Sequence, residues 1–380
     1  MKKIVLIIVV NFLLQPVIAQ KAALVKMDKK AGFIKSDGTW LIEPKYKYLG
    51  DFSDGLAPFK EGKKWGYINS NDAVVIEPQY DRAKAFNSGI AVVSLNKEWM
   101  YIDKKGEKVS MPQSDKIYDF EDGLAYIKRN DLIGLMDAKG TVVLEPTYEK
   151  ILAFHNGHAK VKKGDLWGLI DTTGKLVIQP EYQELGAWSE GVIRAKKGEQ
   201  HGLIINGSFT PVKDAKKLYD FRNGEALTYA THTNEKVGFI DRKGNWVIEP
   251  TFKKARAFVK GLAPVMTSDK WGYVNAQGEM QIAEQFRDAE IFSDDGLAPV
   301  KEDKLWGFID TTGKVVIPFD YDISVQGFMG AEALFGKGSE KGFIDGFARV
   351  RNKKKWGFID KSGKVLNTWF DNAELFTEIK

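Results

Sequence analysis

Apolar positions along this chain come in short runs of three to six residues, as in LAPF, WGYI and VVI, each closed within two or three positions by Gly, Asp, Asn or Pro. Such runs, with turn residues every 8–12 positions, predict β-strands joined by tight turns, and no stretch sustains a helical period. One phrase recurs. The Gly of a Trp-Gly pair, or its equivalent, falls at Gly32, Gly66, Met100, Gly134, Gly168, Gly202, Gly238, Gly272, Gly307 and Gly357. The first five steps are 34 residues each, followed by 36, 34, 35 and 50, so the chain reads as ten units. The long last step carries an insertion at about 323–341, rich in Gly.

Each unit has the same parts. A turn and strand such as SDGLAPFK (Ser53–Lys60) comes first, because Asp-Gly tolerates positive φ. A WGYIN or WGFID strand follows, then a D-x-x-G turn such as Asp171–Gly174, in which the Asp side chain can accept from backbone N–H groups. A β-branched run such as VVIEP (Val74–Pro78) is the third strand, stopped by Pro. A closing piece such as YDRAKAF (Tyr80–Phe86) reads as a short fourth strand or an irregular return.

Two aromatic columns run through the units. Trp65, Trp99, Trp167, Trp271, Trp306 and Trp356 form one, with Ala31, Ile133, His201 and Val237 substituting. Phe52, Phe86, Phe120, Phe154, Trp188, Phe221, Phe258 and Phe292 form the other. A single 34-residue unit cannot bury two large rings, so these columns are expected to be a core shared between neighbours. Each buried indole would contribute at most about 4–6 kcal/mol. Gly66, Gly168, Gly272, Gly307 and Gly357, beside those indoles, imply close approach of another backbone or ring.

KWGFIDKSGKV (Lys355–Val365), with VIEPxY and FSDGLAxVK elsewhere, resembles the WG-repeat, or KWG-repeat, proteins. The resemblance covers essentially all of the chain after its first residues. It implies an exported bacterial binding module, of a kind common in the Bacteroidota, with no catalytic residues to transfer. Trp99-Met100, Ile133-Gly134, His201-Gly202 and Val237-Gly238 depart from the pattern, and Asn206-Gly207 replaces a D-x-x-G turn. The expected fold is all-β: meander repeats stacked as an open superhelical array, with a closed propeller-like ring as the alternative. Ten units exceed the usual four to eight blades of a ring, and the two ends show no strand lent from one to the other.

Charge and termini narrow the function. Lys2 and Lys3, the apolar run Ile4–Val10 and the close Val17-Ile18-Ala19 read as a signal peptide over 1–19, leaving 20–380 as one array. Removing it takes 56 basic residues to 54 against 51 acidic ones, with no basic stripe, so nucleic-acid binding is not expected. No later segment is apolar enough to span a bilayer as a helix, and with no Cys there is neither disulfide nor lipid attachment through one. The expected location is periplasmic or extracellular.

Chemistry is sparse. His155-Asn156-Gly157-His158 falls in a turn slot and lacks a third metal ligand, and His201 occupies a Trp slot. No nucleophile elbow, Walker sequence or H-E-x-x-H occurs, and the D-x-x-G turns lack the acidic density of a calcium loop. Neither catalysis, metal nor cofactor is expected. The leading reading is a scaffold binding a protein or envelope polymer through repeated loops. The alternative is glycan or peptidoglycan binding along Tyr46, Tyr80, Tyr148, Tyr182, Trp188 and Trp246.

Overall fold

A computed structural model describes residues 20–323 and 341–379. The segment read as a signal peptide, and nearly all of the insertion, lie outside the described residues. The rest is all-β and contains ten small antiparallel sheets. We number them as blades 1 to 10 by their first strands: Lys21–Met27, Leu56–Glu61, Ala91–Leu95, Leu124–Arg129, His158–Lys163, Val192–Lys197, Leu227–His232, Leu262–Met266, Ala298–Glu302 and Phe347–Asn352.

Within a blade the first strand pairs with the Trp-Gly strand, which pairs with the third strand. The Gly is explained at this second ladder. In blade 5 the partners jump from Trp167↔Tyr182 to Leu169↔Ile178, so the third strand buckles where Gln179 and Pro180 stand. A Cβ on Gly168 would lie 2.6 Å from the Ile178 carbonyl oxygen. The side chain is absent because a backbone crosses there.

Two departures follow from the same geometry. Blade 3 carries Met100 in the glycine slot, and its third strand shrinks to Lys108–Val109. Blade 6 replaces the D-x-x-G turn with Asn206-Gly207, both at positive φ, and its third strand Ser208–Pro211 runs in unbroken register. A two-residue turn of this kind keeps a hairpin in register and leaves no room for the buckle.

The closing piece belongs to the blade that follows it. Arg82–Ala83 comes directly after the third strand of blade 2, yet it pairs with Ser94 and Val93 of blade 3. Blades 3, 5, 6, 7, 8 and 9 each borrow an inner strand from the preceding unit in this way, and blades 2 and 10 make the same join through the single bridges Leu49↔Phe59 and Asp322↔Arg351. The last closing piece has only one blade left to join, and it joins the first. Asn372–Ala373 and Thr377–Glu378 pair with Lys21–Met27. The ring is closed.

This settles the architecture for the propeller-like ring over the open array. The lent strand that sequence reading found missing is the closing piece itself, hidden because it ends the repeat as written. The junction of blades 10 and 1 repeats the others. Phe33 meets Phe52 at 4.6 Å, Tyr67 meets Phe86 at 4.7 Å, and Phe358 meets Phe376 at 4.5 Å across the closure. Ala23, Val25 and Ile34 share one core cluster with Trp356, Phe358 and Phe370.

Candidate binding surface at the inner turns

Adjacent blades of a ring converge at the axis and splay at the perimeter. The turn before each first strand lies at the converging edge, because these turns bond to one another directly. The Gly89 N–H donates to the Asp54 carboxylate at 2.6 Å, Gly123 to the Ser88 hydroxyl at 2.8 Å, and Gly224 to Glu190 at 2.9 Å. At the opposite edge the third strands expose Val74, Val177, Val247 and Val315.

The inner turns share one backbone and differ in side chain. Asp54, Ser88, Asp122, Asn156, Glu190, Lys260 and Asp345 all hold φ between 48° and 58°, each followed by a Gly also at positive φ. This is the two-residue hairpin turn that Asp-Gly predicts, retained even where Glu or Lys stands in the left-handed position. His155 and His158 pair across such a turn, and His158 stacks on Trp188 at 4.4 Å. Among the described residues no group of His, Asp and Glu is placed to hold a metal. His201 is half-buried, and its burial holds the imidazole below its ordinary pKa.

At blades 7 to 10 the inner turns border a concavity of about 480 Å³. Residues 290–295 of blade 9, with Lys341, Phe343 and Asp345 at blade 10, form most of its wall, joined by Arg222 and Val259 from blades 7 and 8. Its carboxylates are matched by cations. Glu290 meets Arg256 at 3.0 Å and Lys341 at 2.8 Å, Asp295 meets Lys361 at 3.0 Å, and Asp345 meets Lys21 at 2.6 Å. Such a wall offers directional polar contacts with little net field.

The predicted core residues divide. Phe52, Phe86 and Phe120 are buried, Phe154 half so. Trp271, Trp306 and Trp356 are buried, Trp65 and Trp167 are intermediate, and Trp99 is 40% exposed, which corrects its assignment to the core. Trp99 is left open because the two-residue third strand of blade 3 sets no residue opposite it, whereas Trp306 faces Tyr321. The deepest ring is one that sequence reading passed over. It stands two places after the Trp, and Phe33, Tyr67, Phe239, Tyr273, Phe308 and Phe358 are all exposed by 1% or less. The signal was present in the aromatic of WGY and WGF, which was absorbed into the strand pattern. Of the proposed glycan track, Tyr80, Tyr148 and Tyr182 are buried, so those six aromatics do not form a continuous surface.

Ten sheets of three to five strands, the last unit lending its closing strands to the first, make this an all-β repeat ring of the propeller type. The family described as "WG containing repeat" matches residues 32–65, 65–99, 99–132, 133–167, 167–200, 238–271, 271–306 and 306–323. The chain belongs to that family. The unmatched stretch between 200 and 238 holds the substituted turn of blade 6. No curated protein matches the sequence. Among solved structures, a eukaryotic initiation factor is 12% identical, with 78% of this chain and 94% of that one covered at a TM-score of 0.42. A computationally designed protein, Ika8, is 13% identical, with 75% and 94% covered and a TM-score of 0.36. The extracellular domain of a hybrid two component system from B. thetaiotaomicron is 10% identical, with 86% and 56% covered and a TM-score of 0.29.

Proposed function

We propose that this protein is an exported, non-catalytic scaffold that binds another protein through its inner turns. One observation carries the reading: a fixed turn backbone is repeated around the axis while its side chains change from blade to blade. A surface that keeps its frame and varies its chemistry suits recognition spread over several units. The neutralised carboxylates around the concavity support binding over hydrolysis, since each already has a cationic partner.

Site-specific photocrosslinking tests this directly. A probe at Lys260 or Ser293 should capture one protein partner from the native envelope, and a probe at Val247 on the perimeter should not. Equal capture from both positions overturns the assignment to the inner turns. Titration with envelope polysaccharide should leave Trp fluorescence unchanged, and saturable quenching would favour the glycan alternative. Export is checked by intact mass in the envelope fraction, with loss of residues 1–19 as the expected result.

A further inference from the structure

The junction that closes the ring holds a charge pair unlike any other among the described residues. Arg349 and Glu374 lie 3.4 Å apart with their side chains each 5% exposed, and among the described residues no other ion pair has both partners buried. Arg349 also donates to the Ala373 carbonyl oxygen at 3.0 Å and lies over the Trp356 ring at 5.0 Å. It thus grips the closing strand by its backbone and its side chain together. At the junction of blades 9 and 10 the same place in the first strand is taken by Pro299, beside Gly342.

Desolvating two charges makes this an inefficient adhesive, because an apolar pair of similar volume would serve as well or better. What a buried pair does supply is a single allowed geometry and a sharp penalty when one partner is lost. The closing strand needs such a restraint. Every other lent strand, such as Arg82–Ala83, runs on directly into the blade it joins, whereas this one is held to blade 1 by contacts alone, two pairs of residues at 372–373 and two at 377–378.

We propose that Arg349 and Glu374 form the latch of the ring. They pin residues 371–379 against blade 10, so that blade 1 closes on a preset edge. With the latch broken, the closing strand leaves and the edge of Lys21–Met27 is bared. The occupant that fits this edge is the closing strand of a second copy of the chain, since the bonds it makes are those already seen here: Asp371 N–H to Lys26, Glu374 N–H to Leu24 and Ile379 N–H to Gln20.

Amide exchange read residue by residue, with light scattering over a range of concentration, tests the latch. In Glu374→Gln the amides of 371, 374 and 379 should exchange at least about a hundredfold faster than in the wild type, while those of blade 5 are unchanged. Mass should rise toward dimers and larger species with concentration. Uniform acceleration around the ring, or unchanged exchange at the closing strand, overturns the latch. A variant that opens locally and stays monomeric at every concentration overturns the exchange between copies. Arg349→Met combined with Glu374→Leu leaves no charge stranded, and should be slow-exchanging and monomeric. If that pair is as loose as Glu374→Gln, the effect belongs to the position and the proposal fails.

Discussion

Blades 3 and 9 carry the same indole and treat it in opposite ways. Trp306 of blade 9 is buried against Tyr321 and covered by Lys301 and Lys341, whose amines stand 5.7 and 5.1 Å from its ring. Trp99 of blade 3 has one amine, that of Lys84, at 5.9 Å, and faces Ser94 of the first strand with no partner on the third. The cause lies one residue further on, where blade 9 has Gly307 and blade 3 has Met100. A bare α-carbon lets the third strand cross closely, so the glycine allows that strand to cover the tryptophan, fully at Trp306 and partly at Trp65 and Trp167. The repeated pair is therefore one device with two parts, and the indole is the dependent one.

The largest effect that tests this comparison is truncation of the two indoles. Trp306→Ala should destabilise by about 3–5 kcal/mol and Trp99→Ala by about 1–2 kcal/mol, by transfer and cavity arguments. Thermal melts of both variants check the ratio. Equal losses would mean that burial in blade 9 owes nothing to the crossing strand. Phe308→Ala should match or exceed Trp306→Ala, since that ring is fully buried and packs on Phe343 at 5.0 Å.

Substitution of the glycine isolates the cause. Gly168→Ala forces a Cβ to within 2.6 Å of the Ile178 carbonyl and should cost about 2–3 kcal/mol, with increased exposure of Trp167. Gly157→Ala meets no atom within 4 Å and should cost only about 1 kcal/mol, from its φ of 73°. Fluorescence emission separates the two, since a red shift is expected in the first variant alone. A red shift of similar size in both would assign the effect to general loosening.

Much of this was legible in the residues. The period, the strands, the Asp-Gly turns and the closing aromatic are all local signals, because each is carried by a few consecutive positions. Phe86 and Tyr67 could be placed on strands, yet their contact joins two blades and no spacing within one unit reports it. Closure was misjudged for a related reason. Reading units from turn to closing piece hides that Arg82–Ala83 belongs with Ser94, and the pairing of residue 373 with residue 25 has no local trace at all. The inner turns were visible as turns, but their convergence on an axis comes only with the ring.

The smallest expected effect concerns acid, and it distinguishes blades that share a turn and differ in one atom. In blades 5 and 9, Asp171 and Asp310 accept hydrogen bonds from the hydroxyls of Thr173 and Thr312 and from backbone N–H groups two and four residues on. Those donors hold both carboxyls below the ordinary aspartate value, with the threonine hydroxyl the leading cause. A group whose folded pKa is depressed contributes stability that is complete above its unfolded value, near pH 4, and is lost as pH falls through the folded one. Blades 2 and 8 place Asn69 and Asn275 in the same turn with the same two backbone contacts, so the amide fits this site and does not titrate. Asp171→Asn combined with Asp310→Asn should therefore fold normally at pH 7 and lose less melting temperature between pH 6 and pH 3 than the wild type. An identical acid loss in both proteins would place the acid sensitivity elsewhere, in the ion pairs that bridge the blades.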